Sequence, residues 1–306
     1  MFMVICGPTA SGKSAIAVET AAVLNGEIIS SDSMQVYRDM DIGTNKISIE
    51  AQKGIPHHLI GIIDPESAYS AAMFKKDAES LLDEIKKRNS LPIICGGTGL
   101  YIDGIIKGLA VSGEVDEYIK ERIRRLEKEK GAEYLYEMLK AKDPQEADVI
   151  DRKNPRRLTR ALEIIESTGK KVSDIKKSTA QTAYKDEYMI FVIDAQKDVL
   201  YSRIDRRVDA MVNDGLFEEV EALLKKGIKA DSVPMQAIGY KEAAMYISGA
   251  EKKEDVIMMI KQATRNYAKR QLTWFKRYKN AHRIDATNGD EKKAAQDVIK
   301  AWKSQS

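Results

Sequence analysis

Cysteine is nearly missing from this sequence of 306 residues: Cys6 and Cys95 each stand alone in an apolar run, with no CxxC pair and no cysteine–histidine cluster. That excludes a disulfide framework and a zinc site, and it points to a reducing compartment, the cytoplasm. Long apolar runs are missing as well. No stretch approaches the roughly 20 residues of a membrane-spanning helix, and the opening MFMVICGPTASGKS reaches glycine and lysine too early for a secretory leader. No membrane partner is expected. Charge of one sign is not in excess, since 50 Lys and Arg against 47 Asp and Glu leave a net +3. Taken whole, that balance argues against a strongly nucleic-acid-directed protein. With 43% hydrophobic and 32% charged residues, the composition is that of a globular chain, not a disordered one.

What is present is alternation. Phe2–Cys6 is a five-residue apolar run ending at Gly7, as a buried parallel strand does. Gly12–Leu24 follows as a helix, Glu27–Ser30 as a second strand and Leu59–Ile63 as a third. A helix capped by Ser70 carries Phe74, Ala78, Leu81, Leu82 and Ile85 at helical spacing, and Ile93–Cys95 is another buried strand. Between about Gly113 and Tyr184 the chain turns helical and charged, and strand character returns at Tyr188–Ile193. Helices are expected at Asp198–Asn213, Leu216–Lys226, Gln236–Ile247 and Glu254–Lys279, with a last strand at His282–Asp285 and a terminal helix. The fold class is therefore α/β: a parallel sheet flanked by helices, made P-loop NTPase-like by the GPTASGKS loop at 7–14, with an inserted all-helical subdomain. Residues 1–114 and 184–306 would form the sheet core, and 115–183 the insertion.

The most specific motif is Gly7-Pro8-Thr9-Ala10-Ser11-Gly12-Lys13-Ser14, which fits GxxxxGK[ST] between a strand and a helix. Its glycines let successive backbone N–H groups turn inward on phosphate oxygens, and the helix N-terminus adds partial positive charge. Lys13 supplies a full charge, and the Ser14 hydroxyl can ligate Mg2+ held by the phosphates. The motif indicates a diphosphate or triphosphate, without specifying a nucleotide. A hydrolase would add an apolar strand ending in Asp; Ile60–Asp64 and Ile190–Asp194 come nearest, and neither is clean.

Ligands of open α/β sheets bind at the carboxyl ends of strands. Asp32 follows the second strand in Ser31-Asp32-Ser33-Met34-Gln35, where a carboxylate could be an outer magnesium group, a general base or a turn cap. Gly96-Gly97-Thr98-Gly99 follows the Ile93–Cys95 strand and offers the Thr98 hydroxyl. His57-His58 on a strand would point to opposite faces, which suits a structural role. Met258-Met259 reads as core packing, and the two cysteines as buried sheet neighbours.

With GPTASGKS, SSDSMQVY and GGTGLY at three strand ends, the sequence resembles the bacterial tRNA isopentenyltransferase (tRNA dimethylallyltransferase) family. DIGT at 41–44, PHHL at 56–59, PRRLTRALE at 155–163, Arg203–Gly215, IGYKE at 238–242 and KRQLTW at 269–274 extend the likeness over most of the chain. The absent C-terminal cysteine pair matches the shorter bacterial form. The resemblance implies transfer of a dimethylallyl group from dimethylallyl diphosphate to the exocyclic amine of an adenosine beside the tRNA anticodon. It implies Asp32 as general base, Thr98 near the reacting amine and Arg207 beside the departing diphosphate, a solvated helix face being the alternative for Arg207. It also makes Gly7 to Ser14 the diphosphate loop with Mg2+ as cofactor, and Asp32, Ser33, Met34, Gln35 and Thr98 part of the anticodon contact.

A tRNA partner changes how the charge is read. Arg152–Arg160 holds five basic residues (Arg156, Arg157 and Arg160 among them) and no acid; Arg265–Arg283 holds seven, including Lys269 and Arg270, and no acid. The second stretch interleaves Tyr267, Trp274, Phe275 and Tyr278, which suits phosphate contact with base stacking; an amphipathic helix with core aromatics is the other reading. The net +3 hides both stretches. A monomer is expected. Competing functions are an adenylate isopentenyltransferase acting on free nucleotide, a small-molecule P-loop kinase, and a non-enzymatic tRNA-binding module.

Overall fold

The computed structural model describes residues 1–109 and 115–305. It opens with β1 (Phe2–Cys6), buried at all five positions, and α1 (Lys13–Leu24), then β2 (Gly26–Ser30). A short α2 (Ile49–Gln52) precedes β3 (His57–His58), followed by α3 (Ala71–Lys87), β4 (Leu91–Gly96) and α4 (Gly99–Ile106). The charged stretch forms α5 (Glu117–Lys142), broken at Gly131, then α6 (Pro144–Val149), α7 (Pro155–Thr168) and α8 (Val172–Thr179). The chain returns through β5 (Tyr188–Asp194), α9 (Lys197–Asn213), α10 (Leu216–Lys225), α11 (Tyr240–Ile247), α12 (Lys253–Phe275), β6 (His282–Asp285) and α13 (Glu291–Lys303).

All six strands run parallel in the order β3-β2-β4-β1-β5-β6. From β1 the chain leaves to one side for β2, and after β4 it passes to the other side for β5. The loop after β1 thus lies where the connections reverse, the place where such sheets bind ligands. On one face, Ile16, Ala17 and Ala21 of α1 join Val298 and Trp302 of α13 over Met3, Ile5 and Phe191. Each such large buried apolar side chain contributes roughly 1.5–3 kcal/mol. A second core gathers Val208, Leu216, Val220, Tyr240 and Val256 around Val36, Tyr37 and Met40, and so anchors the segment after β2.

The chain divides into two compact units, residues 1–102 with 185–306, and residues 103–184. The smaller unit has its own core, in which Leu135, Tyr136 and Leu139 of α5 pack with Leu158, Leu162 and Ile165 of α7. The buried carboxylate of Asp143 accepts the Glu146 N–H at 3.2 Å and the Ser173 N–H and hydroxyl at 2.8 and 2.7 Å, tying α6 to α8. The boundary expected at residue 114 lies outside the described residues.

Several sequence expectations are corrected. The strand expected at Leu59–Ile63 is instead the pair His57–His58, because Leu59 has φ 63° and breaks the extended backbone. Gly239, at φ 96°, splits the helix expected over Gln236–Ile247, so α11 starts at Tyr240. The helix expected to reach Lys279 ends at Phe275. Met258 and Met259 are 59% and 38% exposed, so the pair lies on the outer side of α12 and not in the core. Asp64 sits outside any strand and pairs with Arg38 at 2.8 Å, which removes Ile60–Asp64 as an acid-bearing strand.

Candidate active site

The loop from Gly7 to Ser14 turns at Ala10 (φ 63°) and Gly12 (φ 87°), with the Ser11 N–H donating to the Pro8 carbonyl at 3.3 Å. Gly7 has no room for a side chain, since a Cβ there would stand 2.4 Å from the Ile193 carbonyl oxygen. The Lys13 ammonium folds back over the loop to donate to the Pro8 carbonyl at 3.3 Å. Burial pushes its pKa below the usual lysine value, against the opposing influence of Cys95 and Asp32. A desolvated cation of this kind is stabilised by an anion delivered to it. Burial pushes the neighbouring Cys95 thiol up to about 11, so it stays protonated and inert.

A cavity of about 430 Å³ opens above the loop, lined by Lys13, Ser14, Asp32, Gln35, Arg207 and Tyr267 among others. Asp32 Oδ1 accepts the Met34 N–H at 2.9 Å and the Gln35 N–H at 3.4 Å, so the same carboxylate caps its turn and faces the cavity. Thr98 is tied to this turn from both ends: its N–H donates to Ser31 O at 3.1 Å, and its hydroxyl accepts the Ser33 N–H at 3.2 Å. This closeness needs glycine at position 96, where a Cβ would fall 2.3 Å from Ser31 Oγ. Burial, followed by the charge of Asp32, pushes the Tyr267 hydroxyl up to about 12.

Two helices from the far part of the sequence complete the site. Arg207 of α9 donates to the Thr9 hydroxyl at 3.1 Å. Gln271 of α12 accepts the Thr9 N–H at 2.8 Å and donates to the Gly97 carbonyl at 3.0 Å. A third support holds the Asp41–Thr44 turn: the Glu219 carboxylate on α10 accepts the N–H groups of Asp41, Ile42 and Gly43 at 2.9, 2.8 and 3.1 Å. Gln271 and Glu219 were not singled out from sequence, because a polar residue on an amphipathic helix signals burial only once its neighbours are known.

The donor set fits magnesium held through phosphate. Ser14 offers an exposed hydroxyl at the cavity wall, and Asp32 and Glu291 are the acids in the same lining. Among the described residues no group of three or more His, Cys, Asp or Glu could hold a metal alone. An ion here would take most ligands from the substrate and water, the habit of Mg2+. Asp194 spends its carboxylate on the Ala195 N–H at 2.9 Å and does not line the cavity.

The residues read as tRNA contacts fall in two places. Gln35 lines the cavity, Ser33 and Met34 precede it in the turn capped by Asp32, and Lys269 and Arg270 are exposed on α12. Arg156, Arg157 and Arg160 are exposed along the first turns of α7 in the smaller unit, where Glu163 pairs with Arg160 at 3.3 Å. The α12 stretch is less free than its charge suggests: Arg265 is bound to Asp205 at 2.6 Å, and Phe275 and Tyr278 are core residues. His57 and His58 bond to the Ile55 carbonyl and the Glu27 carboxylate, and His57 also lines the cavity.

Residues 35–278 match the family model described as IPP transferase. The chain is 47% identical over 280 residues to the tRNA dimethylallyltransferase of Thermoanaerobacter sp. (strain X514), covering 90% of this chain and 89% of that one. It is 42% identical over 298 residues to the tRNA dimethylallyltransferase of Carboxydothermus hydrogenoformans, covering 97% and 96%. Among solved structures, the tRNA isopentenylpyrophosphate transferase of Bacillus halodurans superposes with a TM-score of 0.74 at 40% identity, covering 99% of this chain and 95% of that one. A eukaryotic dimethylallyltransferase acting on tRNA superposes with a TM-score of 0.85 at 29% identity, covering 97% and 77%.

Proposed function

This chain belongs to the IPP transferase family, and from that premise we propose that it prenylates tRNA. The reaction moves a dimethylallyl group from dimethylallyl diphosphate to the exocyclic N6 amine of the adenosine 3′-adjacent to the anticodon, position 37, in tRNAs reading codons that start with U. One observation carries the reading: the loop built for a diphosphate and the carboxylate suited to be a base line a single cavity. The amine nitrogen attacks C1 of the allyl group, the C1–O bond breaks, pyrophosphate leaves, and Asp32 takes the N6 proton. Lys13, Arg207 and the loop N–H groups stabilise charge gathering on the diphosphate. Ser14 would hold a magnesium ion, which would supply further positive charge to the same leaving group. Thr98 orients the amine, and the adenine leaves its stack to reach them.

The exposed Arg156, Arg157 and Arg160 on α7, with Lys269 and Arg270 on α12, suit the phosphates of an anticodon stem-loop. They favour tRNA over free AMP as acceptor. We further propose a monomer working in the cytoplasm. No helix among the described residues is long and apolar enough to cross a membrane, and both cysteines are free.

The decisive assay incubates the protein with dimethylallyl diphosphate, Mg2+ and either tRNA or AMP, followed by mass spectrometry of the nucleosides. Prenylated adenosine from tRNA alone is expected. Product from AMP alone would reassign the enzyme to nucleotide prenylation, and product from neither would overturn the transferase reading.

A further inference from the structure

We propose that Gln271 is a positioning residue that sets the span between the departing diphosphate and the accepting amine. The inference rests on the transferase reading above. Gln271 is only 5% exposed, and a buried amide needs partners for its donor and acceptor. It finds them in two different loops: its Oε1 accepts the Thr9 N–H at 2.8 Å, and its Nε2 donates to the Gly97 carbonyl at 3.0 Å. Thr9 belongs to the diphosphate loop, and Gly97 precedes Thr98 in the loop that faces the amine. One side chain therefore bridges the two halves of the reaction centre.

Two neighbouring features show that the bridge is built in. A Cβ on residue 97 would stand 2.2 Å from Gln271 Nε2, so glycine at 97 is what lets the amide seat. Tyr267, one helical turn before Gln271 on α12, lines the same cavity as Gln271. Thr9 is further pinned through its hydroxyl by Arg207 at 3.1 Å. The Thr9 N–H is thereby held by Gln271, and the loop's position is referred to α12.

Group transfer needs the reacting atoms roughly 3–3.5 Å apart, and a misplacement of about 1 Å costs on the order of 10²-fold in rate. A bridge that fixes one loop against the other acts on that distance rather than on the affinity for either substrate. The signature is a loss in kcat with KM preserved.

The test uses the full chain with tRNA, dimethylallyl diphosphate and Mg2+, comparing wild type with Gln271→Met, Gly97→Ala and the double variant. Methionine keeps the length of the side chain and removes both hydrogen bonds. Each single variant is expected to lose at least about tenfold in kcat, with KM for both substrates within about threefold of wild type. Because both substitutions break one bridge, the double variant should be no more than about threefold worse than the weaker single. A rise in melting temperature on adding pyrophosphate, retained in the variants, shows that the loop is folded and separates misalignment from unfolding. A Gln271→Met kcat within about twofold of wild type, a KM increase with kcat held, or a loss that follows the unfolded fraction would each overturn the proposal. Wild-type protein that transfers nothing to tRNA would overturn the transferase reading and this inference with it; active wild type beside an equally active variant overturns the Gln271 role alone.

Discussion

Arg207 donates a hydrogen bond of 3.1 Å to the Thr9 hydroxyl, joining α9 to the diphosphate loop across 198 residues of sequence. Burial alone acts on the guanidinium, lowering its pKa, and no carboxylate offsets the cost of keeping the charge inside. Burial is the largest influence on Lys13 as well, with Cys95 and Asp32 acting against it. Two desolvated cations lining one cavity favour an anion there, and the proposed diphosphate would supply it.

Arg207→Ala should therefore lower the single-turnover transfer rate by about 10²–10³, the usual loss for one preorganised donor to a developing negative charge. Arg207→Lys should recover only part of that rate, since an ammonium lacks the planar fork that reaches Thr9 and phosphate together. Rapid-quench measurement at saturating tRNA and dimethylallyl diphosphate reads both. An unchanged rate in the alanine variant would remove Arg207 from the leaving-group site.

Asp32→Asn keeps an oxygen for the Met34 and Gln35 N–H groups, so the turn should hold while the base is lost. Transfer should fall by at least about 10²-fold, with tRNA affinity in a filter-binding assay within about twofold of wild type. Loss of tRNA binding instead would mean that the carboxylate serves the turn and not the proton.

Affinity for tRNA should fall steeply with salt, and the basic face of α7 should account for part of the slope. Replacing Arg156 or Arg157 by alanine should each flatten the log–log salt dependence by about one unit, without changing which tRNA is preferred. Binding titrations over a series of KCl concentrations measure it; a slope unaltered by either change would place the RNA elsewhere.

Acid stability has an identifiable contributor in Glu27. Arg88 donates to its carboxylate through Nε and Nη2 at 3.0 and 2.8 Å, and His58 Nε2 lies 2.8 Å away. The Arg88 contact, opposed by burial and assisted by His58, holds the Glu27 pKa down at about 2, against an ordinary 4.5. A depressed carboxylate stabilises the fold above its unfolded value and ceases to do so as pH falls through the folded one. The melting-temperature gap between wild type and Glu27→Gln should be full at pH 6 and shrink between about pH 4.5 and 2. A gap independent of pH would assign the effect to packing.

Most of the sheet was legible because its strands are short apolar runs closed by glycine or a polar turn, and Phe2–Cys6 has the same limits in the structure. The Gly7–Ser14 loop between strand and helix was legible for a related reason: all its determinants lie within eight consecutive residues. What was hidden depends on backbone angles or on distant partners. Nothing in LIGII announces that Leu59 takes a positive φ and moves the strand back to His57–His58. Met258 and Met259 are apolar, yet they fall on the side of α12 away from Val256 and Ile260, which carry its packing. Gln271 and Glu219 were invisible because each acts on backbone groups more than 170 residues away.

The order of strands also dictates an order of events. β1 lies between β4 and β5, so as the chain leaves the ribosome its first strand keeps one apolar edge open until residues 188–194 have been made. An open edge of this kind is a template for mispairing, and closure over so long a separation is slow because loop entropy is lost before contacts form. The helices that bring Arg207 and Gln271 follow later still. The pocket's lining is thus complete only once residue 291 has been made, and lowering the temperature during expression should raise the yield of native protein.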